Sequence, residues 1–426
     1  MKKIILSLLC LTMAWTASSQ KLLDLYQKGT IKLIADNNYG QGNDWDQVFR
    51  SYKDMMGNSH VGERKSLVIM PDGSVMVNHA YTDYYSKFNP QGKFLKEFGI
   101  TSTTGKRFKK IMAIEGVLNG TKFFTGVDNP GNMYFTDFNG KWLKTFKFKH
   151  SVRQVIALPN NKLAIVGWEI GESMFRDFIS IIDYNTNKEN VLWEYNTPKG
   201  QDWSHDKLFF YRHEFKSGGS IGYRTMPYTN DLGMRNGPIL SSVGNKLIAA
   251  IPSAGEILIY DLDGNFKSKE KISWEQKYLL VEDQKEIQKK AIERIKSNDG
   301  LKASDKNTPE EIREVKDQFI KEMEADLLLI KDPIPIPTFS TILKDSDGNL
   351  LFFEFAEKQN ENNFNVWVYE KGGKFVCQSR FVCDDYNLKI NPSRMIFHNG
   401  YLYSLQEKKN ASGIPMRLVR FKLTAN

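Results

Sequence analysis

The chain has few of the residues that most often announce a reaction. It carries 3 cysteines and 6 histidines in 426 residues. No HExxH or CxxC pattern occurs. That excludes the two-histidine zinc helix and the paired-thiol site. After the first residues, no apolar run reaches the roughly 20 positions a transmembrane helix needs. There is no compact basic block, so the usual footprint of a nucleic-acid binder is missing. The expectation is no cofactor, no metal and no nucleic acid.

The N-terminus has a different character. Lys2 and Lys3 precede an apolar stretch from Ile4 to Trp15, followed by Ala17, Ser18 and Ser19. That order is the signature of a signal peptide. It predicts a leader over 1–19, cleavage near Gln20 and a mature chain of 20–426 in the periplasm or outside the cell. Cys10 lies within the apolar stretch after Leu9 rather than a small residue, which argues against lipid anchoring. The mature chain keeps Cys377 and Cys383. In one extended strand they would lie about 20 Å apart, so two free thiols are the simpler expectation.

Glycine supplies the repeat. Gly92-Lys93-Phe94, Gly140-Lys141-Trp142, Gly264-Asn265-Phe266 and Gly373-Lys374-Phe375 each end a turn between short apolar-alternating runs. Turn signals at this spacing predict four-stranded antiparallel units. Six such units can be read from Lys65 to the C-terminus, and the sixth supplies only three strands. Thr30–Ala35 offers the missing one, since a closed ring leaves no open sheet edge. The expected fold is all-β: a six-bladed β-propeller closed by an N-terminal strand. Seven blades follow if Trp203 to Tyr228 forms part of another sheet. The phrase aromatics are expected to pack between blades.

Residues 274–330 depart from the pattern. Thr308-Pro309-Glu310-Glu311 is a helix start with cap, proline and capping-box acid in place. Ile312, Val315, Phe319, Met323 and Leu327 follow at helical spacing. An earlier helix is predicted over Glu282 to Lys296. The reading is a helical insertion between blades four and five, its apolar stripes packed on the propeller.

The blade phrasing GNLLFFEF and GKFLKEFG, the insertion and the leader together resemble six-bladed propellers of the NHL and TolB-like type, as in exported Bacteroidetes proteins. The resemblance implies a fold and transfers no catalytic residue.

Function must then be sought where the repeat is silent. Arg64, Arg153, Arg235 and Arg394 stand near the starts of innermost strands, and a ring of guanidinium forks there would suit carboxylate or sulfate. His79, Tyr81, His213, Tyr223 and Arg224 add aromatic and polar contacts. The leading expectation is an exported propeller that binds an anionic glycan or peptide at the channel mouth. Two alternatives remain: a polysaccharide lyase acting on uronate, and a cell-envelope scaffold docking through the insertion. The net charge of +9 fits an acidic partner, and fits plain solubility equally. Asp261–Asn265 and Asp345–Asn349 mimic the start of a calcium loop, but Ile272 and Ala356 stand where a bidentate glutamate belongs. Both are read as hairpin turns.

Overall fold

One local structure recurs along the chain: a five-residue turn opened by aspartate or asparagine. The Asn89 side chain accepts from the N–H groups of Gln91 and Lys93. Asp137 does the same for Asn139 and Lys141, Asp261 for Asp263 and Asn265, and Asp345 for Asp347 and Asn349. The fourth residue turns left-handed, with φ of 76° at Gly92, 93° at Gly264 and 87° at Gly348. Glycine adopts that conformation without penalty. The repeated glycine is therefore a requirement of the turn.

The computed structural model describes residues 22–425 apart from 50–51, 54–58, 61–64, 80–84, 99–113, 119–121, 129–131, 140, 171–173, 199–208, 216–219, 226–236, 253, 273–274, 276, 298–307, 337, 355–362 and 391–393. The expected leader lies outside the described residues. Strand β1 is Thr30–Ala35. A first sheet holds β2 (Lys65–Ile69), β3 (Val75–His79), β4 (Tyr85–Phe88) and β5 (Phe94–Phe98) in that order. A second holds β6 (Ile114–Leu118), β7 (Lys122–Asp128), β8 (Asn132–Asp137) and β9 (Trp142–Lys147). A third holds β10 (Ser151–Leu158), β11 (Lys162–Ile170), β12 (Met174–Asp183) and β13 (Lys188–Pro198). A separate hairpin pairs β14 (Phe209–Glu214) with β15 (Ser220–Thr225). The fourth sheet is β16 (Ile239–Val243), β17 (Lys246–Ile251), β18 (Glu256–Asp261) and β19 (Phe266–Lys271). Two helices follow, α1 (Val281–Lys296) and α2 (Pro309–Asp326). The fifth set is β20 (Phe339–Lys344), β21 (Leu350–Glu354), β22 (Asn363–Tyr369) and β23 (Phe375–Val382). The last is β24 (Met395–His398), β25 (Tyr401–Lys408) and β26 (Met416–Ala425).

The protein is mainly β, and its sheets are arranged in the manner of a propeller. β2 lies against β6, β6 against β10, β10 against β16, β16 against β20, β20 against β24, and β24 against β2. Apolar clusters fill the spaces between successive sheets. In β17, Leu247, Ala249 and Ile251 face one such cluster, while Ile248 and Ala250 face the next. Burial on both faces explains its unbroken apolar sequence. The outer strand β19 is exposed over most of its length and carries Lys267, Lys269 and Lys271. Lysines along an edge discourage pairing with another chain.

β1 pairs antiparallel with β26 and also parallel with the end of β23. The second pairing joins the last two sheets, with the short strand Tyr386–Asn387 beside β25, into one of nine strands. Two of the four phrase aromatics depart from expectation, while Phe94 packs against the cluster between the last and first sheets. Phe266 is 57% exposed and Phe375 43%; they lie edge-on to Tyr260 and Tyr369 of their own sheets. The glycines face the neighbouring sheet instead. A Cβ at Gly264 would sit 2.8 Å from Leu192, and one at Gly373 would sit 3.3 Å from Ile259.

α2 begins as its cap predicts, with the Thr308–Glu311 capping box formed, whereas α1 starts at Val281 behind Leu280 with no side-chain cap. Their packing differs from expectation. Ala291, Ile292, Ile295, Val315, Phe319 and Met323 share a core with Tyr211 and Phe215 of the β14–β15 hairpin. Both cysteines are free thiols. No helix among the described residues is long and apolar enough to cross a membrane.

Candidate functional site

Sheet three carries charge on both faces at one end. The start of β10, the end of β11, the start of β12 and the end of β13 meet there, because Ser151 pairs with Trp168 and Asp177 with Tyr195. Toward sheet four stands Arg153, set at a register shift in β10. Its guanidinium lies 2.8 Å from the Asp177 carboxylate and 5.9 Å over the Trp168 ring. Its side chain keeps 22% of its exposure. Gly237, just before β16, approaches so closely that a Cβ would come within 2.8 Å of the guanidinium.

Toward sheet two lies a longer network. The His150 Nδ1 contacts Glu169, and its Nε2 lies 3.2 Å from Glu189. Ser180, fully buried, donates to the other Glu189 oxygen at 2.6 Å. Arg176 donates to Glu194 at 2.6 and 2.9 Å and to Glu169 at 3.1 Å. Burial works against the Arg176 charge, but the Glu194 and Glu169 carboxylates outweigh it and raise its proton affinity. Phe178 supports the set: the His150 ring meets it edge-on at 5.0 Å, and the Arg176 guanidinium stacks over it at 4.8 Å. Phe178 can lie there because residue 167 is glycine; a Cβ would fall 2.3 Å from its ring. A neutral imidazole donates from one nitrogen only. The two His150 nitrogens face carboxylates from two different strands, Glu169 of β11 and Glu189 of β13.

The predicted residues fall on separate elements. Arg64, Tyr81 and Arg235 lie outside the described residues. His79 ends β3, opposite Lys65. Tyr223 and Arg224 sit in β15, opposite Tyr211 and Phe210. His213, on β14, places Nδ1 2.8 Å from Gln318 of α2. Beside it Tyr211 donates to Asp326 and accepts from Gln288, both at 2.7 Å. Burial first, and Asp326 second, push the Tyr211 hydroxyl far above the usual phenol range. Arg394 is 4% exposed, just before β24.

Sequence reasoning missed His150 and its glutamates. The available signal was Arg176-Asp177 inside the otherwise apolar strand MFRDFISIID. It also missed Gly218-Gly219-Ser220-Ile221-Gly222, which spells GxSxG. A nucleophile elbow joins a strand to a helix. Ser220 instead opens β15 of a hairpin, opposite Glu214.

No family model matches the chain, and no curated protein matches it. Several solved structures do. A DUF4221-family protein from Bacteroides vulgatus is 11% identical, with 94% of this chain and 100% of that one covered at a TM-score of 0.49. An exported protein of Bacteroides fragilis, described as putative, is 11% identical over 91% and 98%, with a TM-score of 0.46. Virginiamycin B lyase from Staphylococcus aureus is 12% identical over 93% and 99%, with a TM-score of 0.37. None of these likenesses assigns a residue or an activity to this chain.

Proposed function

We propose that this chain is an exported six-bladed β-propeller of the NHL or TolB-like kind, closed by its N-terminal strand, that binds an acidic glycan or peptide. The ligand sits where the inner strands begin. The observation that carries the reading is Arg153: a part-exposed guanidinium that lies over Trp168 and pairs with Asp177 at the start of an inner strand. A planar guanidinium that keeps part of its exposure suits a ligand carboxylate or sulfate. Arg64 and Arg235 join the test set on their place in the sequence repeat alone, since both lie outside the described residues. His150 and His213 do not favour a lyase, since both His150 nitrogens face carboxylates and His213 is engaged by Gln318.

The test is an acidic-glycan array with the mature chain, read for binding and for absorbance of unsaturated uronate. Replacing Arg153 by alanine should weaken binding about tenfold or more. Unchanged binding in an Arg64, Arg153 and Arg235 triple alanine variant would sink the proposal. Appearance of unsaturated uronate would replace it with the lyase.

A second reading has one observation of its own. Leu328 and Leu329 beyond α2 are 77% and 67% exposed, and Leu280 before α1 is 59% exposed. An apolar surface on the helical insertion suits an envelope-protein partner. A Leu328→Ser, Leu329→Ser variant that retained every crosslinked envelope neighbour of the wild type would remove that reading.

A further inference from the structure

A second site lies at the seam where the last sheet meets the first. The turns at 70–74, 89–93 and 399–400 surround a cleft of about 440 Å³. That volume falls within the roughly 300–1,000 Å³ of small-molecule sites. Arg420 of β26 lines it, with its guanidinium 4.8 Å from the Tyr39 ring and 4.6 Å from the Tyr401 ring. The ring of Tyr403 stands edge-on to both Tyr39 and His398.

The charges in this cleft are already matched. Arg420 donates through Nε and Nη2 to Asp36, and it holds that carboxyl below its usual range. Asp72 accepts from the Ser74 hydroxyl at 2.6 Å and the Ser74 N–H at 2.9 Å, and is lowered by those bonds. An anion would have to compete with Asp36 for the guanidinium. A cation would find both acids committed. What remains is the side-chain amides of Gln91 and Asn399 on exposed turns, the Tyr401 and His398 rings, and the flat apolar faces of Pro71 and Pro90.

We propose that this cleft binds a neutral oligosaccharide. Its amides pair with sugar hydroxyls, which both donate and accept. Its rings and prolines cover the C–H faces of the pyranose. The site is separate from Arg153 and asks for an uncharged ligand rather than an acidic one. Because it spans turns of the first and last sheets, its ligand also ties the seam together and raises the melting temperature.

The experiment titrates the mature chain by calorimetry with neutral tetrasaccharides of glucose, mannose, galactose and xylose, and with oligogalacturonate. The variant is Gln91→Ala with Asn399→Gly. Residue 399 has a φ of 50°, so glycine keeps the turn while removing the amide. At least one neutral tetrasaccharide should bind and raise the melting temperature. The double variant should lose about tenfold or more of that affinity, with its unliganded melting temperature near that of the wild type. Arg153→Ala should leave this binding unchanged. The proposal is overturned if no neutral tetrasaccharide binds, or if the double variant binds one as the wild type does. Binding of oligogalacturonate alone, abolished by Arg153→Ala, overturns it too and leaves the acidic-ligand reading standing.

Discussion

Two turns of this protein have nearly the same sequence and opposite chemistry. Asp261-Leu262-Asp263-Gly264-Asn265 and Asp345-Ser346-Asp347-Gly348-Asn349 are built by the same bonds. In each, the first carboxylate accepts two backbone N–H groups and the asparagine amide, all at 2.8–3.0 Å. In the first turn the Asn265 bonds, joined by Lys267, pull the Asp261 carboxyl far below its ordinary range. In the second, Asp345 is 3% exposed beside the buried Tyr26, and burial pushes its carboxyl up. Asp347, partly buried and next to that charge, is pushed to about 6. The motif dictates the hydrogen bonds. What covers it dictates the charge.

The strongest way to break the comparison is to remove the first aspartate of each turn. Asp345→Ala leaves buried donors unpaired and should cost about 2–3 kcal/mol in urea unfolding. The Asp347 titration, followed by carboxyl NMR, should move back toward 3.8. Asp261→Ala exposes its donors to water and should cost clearly less. Equal losses would mean that burial does not separate the turns.

A smaller effect should reverse the order. Both fourth residues are left-handed glycines, so alanine strains each by about 1 kcal/mol. At Gly264 the new methyl meets Leu192 at 2.8 Å, whereas at Gly348 the nearest atom, on Val243, is 3.3 Å away. Gly264→Ala should therefore lower the denaturation midpoint more than Gly348→Ala.

The smallest effect is pH-dependent. The Asp347 pKa is raised on folding, so its favourable contribution is full below about 3.8 and is lost as pH rises through about 6. Asp347→Asn should raise the melting temperature at pH 8 and leave it nearly unchanged at pH 3. Asp261 runs the other way. Its folded value is depressed, so its contribution is present above about 3.8 and fades as acid is added. A melting curve for Asp347→Asn that rises equally at both pH values would contradict the burial argument.

Much of the frame was legible because its signals are local. The glycine turns, the Thr308 cap with Pro309, and the unbroken apolar run of β17 each follow from a few neighbouring residues. Contacts chosen by tertiary packing were not legible. Nothing near Tyr211 or His213 announces that they meet Gln288, Asp326 and Gln318 on distant helices. His150 likewise gives no sign of Glu169 and Glu189, which reach it from two other strands. Phe266 and Phe375 were expected between sheets because large aromatics usually are, but the hairpin sets them on the outer strand. Arg153 was found from its position in the repeat, while its partner Asp177 came only with the register of β12.

The pairing of β1 with β26 has a consequence for folding order. Asp36 and Arg420 meet across 384 residues of chain, and the two strands cannot pair until both are available. Contacts of such separation form late and slowly. The sheets between them can form from neighbouring segments, but the circuit of inner strands stays incomplete until its last member arrives. A chain arranged this way locks only after its far end is free.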